Sequence, residues 1–180
     1  ELHGNNKSLA EIEEAIKVGV SRIVIDSLQE IERVQALASK AGKNQKVLIR
    51  LTPGVEAHTH ESISTAHEDV KFGFSIASGA AWTAVEAVAQ HPELELRGVH
   101  CHIGSQIFGS EAHEIATDRL MAFMGKYRDH FGTELPELDL GGGFGIAYVD
   151  GDVTVEPADV LPQIHAAVKK ACADYTLAIP

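Results

Sequence analysis

Cysteine and long apolar runs are both scarce in this sequence, and each scarcity limits the class of protein. The two cysteines, Cys101 and Cys172, lie 71 residues apart and lack the spacing of a metal site. Two isolated thiols fit a reducing, cytoplasmic compartment better than a disulfide scaffold, so we expect the cytoplasm. No apolar run is long enough to span a membrane or to form the core of a signal peptide.

Positively charged residues are also few. Fifteen Lys and Arg residues stand against 26 Asp and Glu residues, which gives a formal net charge of −11. An acidic surface repels polyanions, so the composition disfavours DNA or RNA as a partner. The hydrophobic content of 44% over 180 residues is enough to bury one core. We therefore expect a single domain over residues 1–180.

What the sequence does contain is an alternation of strand and helix patterns. Short apolar runs predict strands at Leu2–Gly4, Arg22–Asp26, Lys46–Leu51, Leu96–His102 and Glu137–Leu140. Helices are predicted after the Ser8–Glu11 and Ser27–Glu30 segments, both of which have the spacing of a capping box, and at Gly79–Ala89, Glu111–His130 and Ala158–Ala173. Pro157 suits the first turn of the last helix.

This alternation predicts an α/β fold with parallel strands and helical crossovers. A closed (β/α)8 barrel needs about 250 residues, so the chain holds about five of its eight β/α units. An open doubly wound sheet is the alternative. Residues 52–75 form a long polar loop with three histidines at the carboxyl end of a strand, and loops of that length are commonly functional.

The glycine run Gly141-Gly142-Gly143 follows the strand that ends at Leu140. Glycines there let backbone N–H groups approach phosphate oxygens, and the residues that follow can open a helix whose amino end favours an anion. The spacing is neither the dinucleotide fingerprint nor a Walker loop. A tight turn at the strand exit is the alternative interpretation.

A histidine and a serine follow the strand before it. His102 and Ser105 are three residues apart, at the end of the strand and on its loop. His102 can lie flat over a planar ring or donate a hydrogen bond, and Ser105 can donate to a phosphate. The alternative is an interior histidine satisfied by a neighbour. A zinc pair at His100 and His102 is a further hypothesis, and it requires ligands from other strand ends, with His58, His60 and Asp139 available.

Two cations also follow or end strands. Arg50 lies inside an otherwise apolar strand, so we expect it to face a polar site or a carboxylate, with surface exposure as the alternative. Lys7 could bind a carbonyl substrate as a Schiff base because it follows a strand, but an ordinary lysine at the start of a helix is the favoured interpretation.

Six segments together resemble the diaminopimelate decarboxylase family of fold-type III, alanine-racemase-like pyridoxal-phosphate enzymes. They lie in the family's order across nearly the whole chain: His3–Ser8, Arg50–Gly54, His58–His60, Lys71–Gly73, Gly98–Gln106 and Leu138–Ile146. The resemblance implies that pyridoxal 5'-phosphate is the cofactor. It also implies a partial (β/α)8 barrel of the alanine-racemase-like kind.

The same resemblance implies roles for individual residues. His102 would stack on the pyridine ring of the cofactor. Ser105, Gly142 and Gly143 would hold its phosphate, in agreement with the phosphate sites that follow the seventh and eighth strands of such barrels. Arg50 would line the site near the ring.

The resemblance further implies that parts of the enzyme lie outside this sequence. The chain begins at Glu1 without a methionine and ends at Pro180, so we expect a longer protein. The Schiff-base lysine would precede Glu1, and no catalytic residue is predicted here. The last barrel strand and a carboxy-terminal β domain would follow Pro180. Residues 1–180 would then be the central to carboxy-terminal part of the barrel, and the site would be completed across a homodimer.

In the full enzyme the implied reaction is decarboxylation of meso-2,6-diaminopimelate to L-lysine and CO2. We expect this chain alone to be inactive. A decarboxylase for another basic amino acid or for a carboxylated polyamine shares the implied fold. Two hypotheses of other classes are also open: a metal-dependent barrel hydrolase, which predicts bound zinc, and a non-catalytic interaction module, which predicts no cofactor.

Overall fold

The computed structural model describes residues 1–55 and 71–180. His58 and His60, and with them most of the predicted polar loop, lie outside the described residues. The described residues divide into two compact units, one made of residues 1–52 and 71–100 and the other of residues 53–55 and 101–180. The single domain expected from the composition stays a prediction, and each unit is described by itself.

The first unit alternates strands with helices. Its elements are α1 (Leu9–Val18), β1 (Ile23–Ile25), α2 (Leu28–Ala41), β2 (Gln45–Thr52), β3 (Phe74–Ser75), α3 (Ala80–Ala89) and β4 (Leu94–His100). Strand β2 pairs in parallel with β1, β3 and β4. The strand residues Ile23, Ile25, Val47, Ile49 and Val99 are fully buried. Continuous burial along a strand is typical of parallel sheets, which confirms the predicted pairing.

The strand predictions hold in position but differ at the ends. Of Leu2–Gly4, only Leu2 makes a bridge, to Ile23. The two-residue strand β3 was missed because so short a strand has no periodic signal. Strand β4 lies two residues earlier than predicted, so His102 follows the strand and is not part of it.

Of the two predicted capping boxes, one forms in full and the other forms only in part. Ser8 and Glu11 form the predicted capping box, each binding the backbone of the other. At the second start, Ser27 accepts from the amide of Glu30, but Glu30 accepts from the amide of Asp26 instead of that of Ser27. The second capping-box prediction was therefore half wrong, because the carboxylate of Glu30 is drawn to a buried ion pair with Lys7.

The second unit contains α4 (Glu111–Phe131), β5 (Glu137–Asp139) and α5 (Pro157–Tyr175). Helices α4 and α5 pack together, with Tyr175 donating to Asp118 at 3.0 Å and Arg128 donating to the Tyr175 carbonyl at 2.7 Å. Pro157 is in the first turn of α5, as predicted. The expectation that the residues after the glycine run open a helix was wrong, because the next helix begins only at Pro157.

None of the helices in residues 1–55 and 71–180 has the length and apolar character that a membrane crossing needs.

Candidate cofactor site

The first unit contains a buried network of charges at the carboxyl ends of β1 and β2. The Arg50 side chain is 15% exposed and donates from Nη1 to the Asp26 carboxylate at 3.1 Å. Its guanidinium also lies over the Phe72 ring, 4.5 Å from the centroid. The second Asp26 oxygen accepts from the Gly73 amide at 2.6 Å. Arg50 thus faces a carboxylate, as predicted, and the surface alternative is wrong.

Lys7 is 4% exposed, so it is not the ordinary helix-start lysine that the sequence favoured. Its Nζ lies 2.9 Å from the Glu30 carboxylate and donates to the Val24 carbonyl at 2.7 Å. Burial raises the pKa of Glu30, and the hydrogen bond and charge of Lys7 partly oppose that rise. Because its amine is engaged by one carboxylate and by backbone carbonyls, the geometry of Lys7 is that of a structural cation.

In the second unit, two loop segments run side by side. One contains His102 to Ile107 and the other contains Gly141 to Ile146, and together they hold four of the predicted residues. The amide of Ile107 donates to the Gly143 carbonyl at 2.9 Å, and Ile107 bridges Phe144 in parallel. A Cβ on Gly141 would lie 3.1 Å from Nδ1 of His102. His102 and Ser105 lie on one of these segments and Gly142 and Gly143 on the other, and the side chains of His102 and Ser105 are exposed.

Backbone conformation and packing require glycine at two of the three positions but not at the third. Gly141 has φ +70° and Gly143 has φ +96°, and a Cβ at either would collide with a backbone oxygen, of Cys101 and of Gly104 respectively. Gly142 has an ordinary φ, and a Cβ there would meet nothing within 4 Å. The tight-turn interpretation thus explains Gly141 and Gly143 but not Gly142, whose missing side chain leaves open space beside the loop.

The backbone amides of this loop are available to an anion. The Gly141 amide donates to its neighbour Asp139 at 2.8 Å. In the described part of the chain, no hydrogen bond uses the amides of Gly142 and Gly143. Unused amides beside open space at a strand exit are suited to an anion. The residues present therefore fit a phosphate group.

Gln106 and His113 are two residues of this unit that sequence reasoning missed. Gln106 is in the left-handed region at φ +58°, and its side-chain amide donates to the Ile146 carbonyl at 3.0 Å and accepts from the Ile146 amide at 2.9 Å. It thereby ties the two loop segments together. His113, on α4, is 1% exposed and stacks on Phe144. Its spacing from the buried residues Ala116, Thr117 and Leu120 is helical and could have identified it.

Parallel β/α architecture with a glycine loop at a strand exit is typical of cofactor-binding α/β domains. Comparison with known proteins narrows the class. Residues 2–179 match the family described as "Pyridoxal-dependent decarboxylase, pyridoxal binding domain", so the chain belongs to that family. The family match confirms pyridoxal as the basis of the cofactor and disfavours the zinc hydrolase and interaction-module hypotheses.

The similar proteins bear the same name in several organisms. The diaminopimelate decarboxylase of Corynebacterium efficiens is 43% identical over 99% of this chain and 39% of its own length. That of Mycobacterium tuberculosis is 54% identical over 84% of this chain and 35% of its own length. The chain thus spans about two fifths of these relatives.

A solved structure confirms the fold. The diaminopimelate decarboxylase from M. jannaschii, in complex with L-lysine, superposes with a TM-score of 0.79 and 29% identity, over 96% of this chain and 39% of that chain. The chain therefore has the α/β fold of part of an alanine-racemase-like (β/α)8 barrel domain.

Proposed function

We propose that the protein containing this chain decarboxylates meso-2,6-diaminopimelate to L-lysine and CO2, with pyridoxal 5'-phosphate as cofactor. The relatives that match 84% or more of the chain bear the name of this activity. The solved relative that holds L-lysine, the product of the proposed reaction, supports the same substrate class. Within the chain itself, the main support for a bound cofactor phosphate is the open space beside Gly142.

Gly142 carries the proposal because neither its backbone conformation nor its packing requires glycine. A Cβ at Gly142 would meet nothing within 4 Å, so there is room for a phosphate beside this residue. We assign the amides of Gly142 and Gly143 and the exposed Ser105 hydroxyl to the phosphate. Bound at this loop, the cofactor supplies an electron sink for the loss of CO2.

His102 and Arg50 are assigned to the ring of the cofactor. The His102 imidazole is exposed beside Gly141, so one face is available to stack on a planar ring. Arg50 is held by Asp26 and Phe72, which limits the positions that its guanidinium can take. Within this assignment, His102 keeps the ring in place while the glycine loop keeps the phosphate in place.

We further propose that the protein is a cytoplasmic homodimer. Both cysteines are buried and form no disulfide with each other, which suits a reducing compartment. Residues of the loop before α5, Ile146, Tyr148, Val149 and Val153, expose large apolar side chains that a second copy would cover. Analytical ultracentrifugation and cell fractionation test these two assignments, and a monomer or a membrane-bound protein would refute them.

The substrate assignment is tested with the protein expressed from its complete gene. The purified protein is incubated with pyridoxal phosphate and separately with meso-diaminopimelate, lysine, ornithine and arginine, and CO2 release is measured. We expect turnover of meso-diaminopimelate with L-lysine as product. Preferential turnover of ornithine or arginine would replace the substrate assignment, and no turnover of any amino acid would refute the decarboxylase.

The site assignment is tested in the same protein with Gly142→Ala. We expect at least about a tenfold loss of affinity for pyridoxal phosphate, since a Cβ would occupy the phosphate space. The matched control is Gly125→Ala in the interior of α4, where a Cβ would make only an ordinary contact of 3.5 Å with Tyr175. Unchanged cofactor affinity in Gly142→Ala would refute the phosphate assignment at this loop.

A further inference from the structure

Gln106 has a backbone conformation that is costly for its residue type. Its φ of +58° lies in the left-handed region, where a side chain is disfavoured and glycine is the usual residue. Such a conformation persists only where the surroundings impose it, and it is often found at functional sites. A glycine would form the same turn at lower cost. The reason for a glutamine at this position is therefore to be sought in its side chain.

The side chain of Gln106 makes a two-point contact with the backbone of the other loop segment. Its amide nitrogen donates to the Ile146 carbonyl at 3.0 Å, and its amide oxygen accepts from the Ile146 N–H at 2.9 Å. A paired residue of a neighbouring strand would make the same two hydrogen bonds. At neutral pH, only a primary amide offers one donor atom and one acceptor atom side by side, so this contact needs Gln or Asn.

Ser105 lies between two residues that contact the segment of the glycine run. On one side, Gly104 is so close to Gly143 that a Cβ on Gly143 would collide with the Gly104 carbonyl oxygen. On the other side, Gln106 holds Ile146 through both atoms of its amide. Because both neighbours are held, the backbone of Ser105 is restrained beside the glycine segment, although its side chain is exposed.

We propose that Gln106 is a positioning residue for the cofactor phosphate: its amide pairs with Ile146 and holds Ser105, with its hydroxyl, beside the glycine loop. This inference rests on the assignment of Ser105, Gly142 and Gly143 to the phosphate made above. A neutral amide suits the role, because a carboxylate at this position would repel both the Ile146 carbonyl and a phosphate anion. The contact is exposed to solvent, so it serves the position of the loop more than the stability of the fold.

Two substitutions in the protein expressed from its complete gene remove this contact in different ways. Gln106→Met keeps a side chain of similar length without the amide, whereas Gln106→Gly removes the amide and also relieves the cost of the left-handed conformation. The matched control is Gln90→Met at the exposed end of α3. Each protein is freed of pyridoxal phosphate, and its affinities for pyridoxine 5'-phosphate and for pyridoxine are measured by calorimetry. These two probes lack the aldehyde and differ only in the phosphate.

We expect both Gln106 variants to bind pyridoxine 5'-phosphate about tenfold more weakly than wild type, with the affinity for pyridoxine unchanged. Gln90→Met should bind both probes as wild type does. In a Ser105→Ala background, Gln106→Met should cause little further loss of affinity, because the hydroxyl that the glutamine positions is absent. The midpoint of urea unfolding should change little in either Gln106 variant, since the lost contact is exposed.

The outcomes also distinguish this inference from the proposed function. Wild-type affinity for pyridoxine 5'-phosphate in either Gln106 variant would overturn the inference, because the amide would then not be needed. Equal weakening of both probes would show a general effect on packing, and an undiminished loss in the Ser105→Ala background would show that Gln106 does not act through Ser105. Either result would overturn the inference and leave the phosphate site intact. Wild-type protein that binds pyridoxine as tightly as its phosphate would refute the phosphate assignment itself.

Discussion

Asp26 shows at the scale of one residue how a site is prepared by a side chain that need not touch the ligand. One oxygen holds the Arg50 guanidinium and the other holds the Gly73 amide. A Cβ at Gly73 would lie 2.6 Å from the Arg50 carbonyl, so the two segments approach closely. The carboxylate therefore supports both the cation and the backbone packed against it.

We predict that Asp26→Asn lowers the free energy of unfolding by about 2–3 kcal/mol, because it removes a charged partner from a nearly buried guanidinium. The asparagine oxygen can still accept from the Gly73 amide. The loss of stability therefore measures the effect of removing the negative charge beside Arg50. Urea unfolding measures it. The control is Glu95→Gln, which breaks the more exposed 2.9 Å pair with Arg97 on β4 and should have little effect. Equal losses of unfolding free energy in Asp26→Asn and Glu95→Gln would contradict the role given to the Asp26 charge.

The chemistry of single residues was predictable where the residue type dictates it. Arg50 in an apolar strand required a carboxylate, and the structure supplies Asp26. The identity of that partner was not predictable, because Asp26 lies 24 positions earlier, directly after β1, and only the parallel pairing of β1 with β2 brings it close. The helical spacing of His113 indicates that it is buried, but a histidine in such a pattern carries no sign of which loop packs on it.

At the scale of elements, the two helix starts show which local signals are reliable. The Ser8 capping box involves exposed groups with no competing partner, and it forms as the pattern predicts. The Ser27 box loses its second half because Glu30 has a stronger alternative in the buried amine of Lys7. Local capping patterns are thus overridden where a long-range ion pair competes for the same carboxylate.

We predict that Glu30→Gln destabilises the chain by about 3–5 kcal/mol, because it leaves the buried Lys7 ammonium without a counter-charge. The double variant Lys7→Met with Glu30→Leu removes both charges and should recover at least half of the loss. Chemical denaturation of the three proteins measures the effect.

The matched control for this prediction is Glu13→Gln. It breaks a pair with Lys40 that has the same 2.9 Å separation and joins α1 to α2, but both side chains are largely exposed. It should leave the unfolding midpoint unchanged. A double variant as unstable as Glu30→Gln would show that the packing of these side chains, and not the unpaired charge, causes the loss.

At the scale of the whole molecule, the order of the segments was more informative than any one of them. The predicted parallel α/β class and all the long helices agree with the structure, because their apolar periodicity reflects burial directly. The end of β4 and the absence of a helix after Gly143 did not follow from the sequence. Strand ends depend on pairing with distant residues, and a glycine run specifies flexibility of the backbone but not what comes next.

The stability of the whole molecule against acid gives the last prediction. Burial holds the pKa of His113 below its ordinary value of 6.5 in the folded chain. As the pH falls below 6.5, the unfolded chain takes up a proton at this residue and the folded chain does not, so the folded state loses stability. The loss grows until the pH reaches the folded-state pKa. As the pH falls through this range, the free energy of unfolding of His113→Phe should therefore rise relative to that of wild type by up to about 1.4 kcal/mol per pH unit.

Urea unfolding of both proteins between about pH 7.5 and 5.5 measures the difference. The carboxylates Glu11 and Glu13, whose pKa values are lowered by hydrogen bonds from Ser8 and Lys40, lose their contribution only below 4.5, outside this range. The exposed His165 on α5 provides the control, and His165→Gln should follow wild type at every pH. Parallel pH curves for His113→Phe and wild type would show that folding does not exclude the proton from His113.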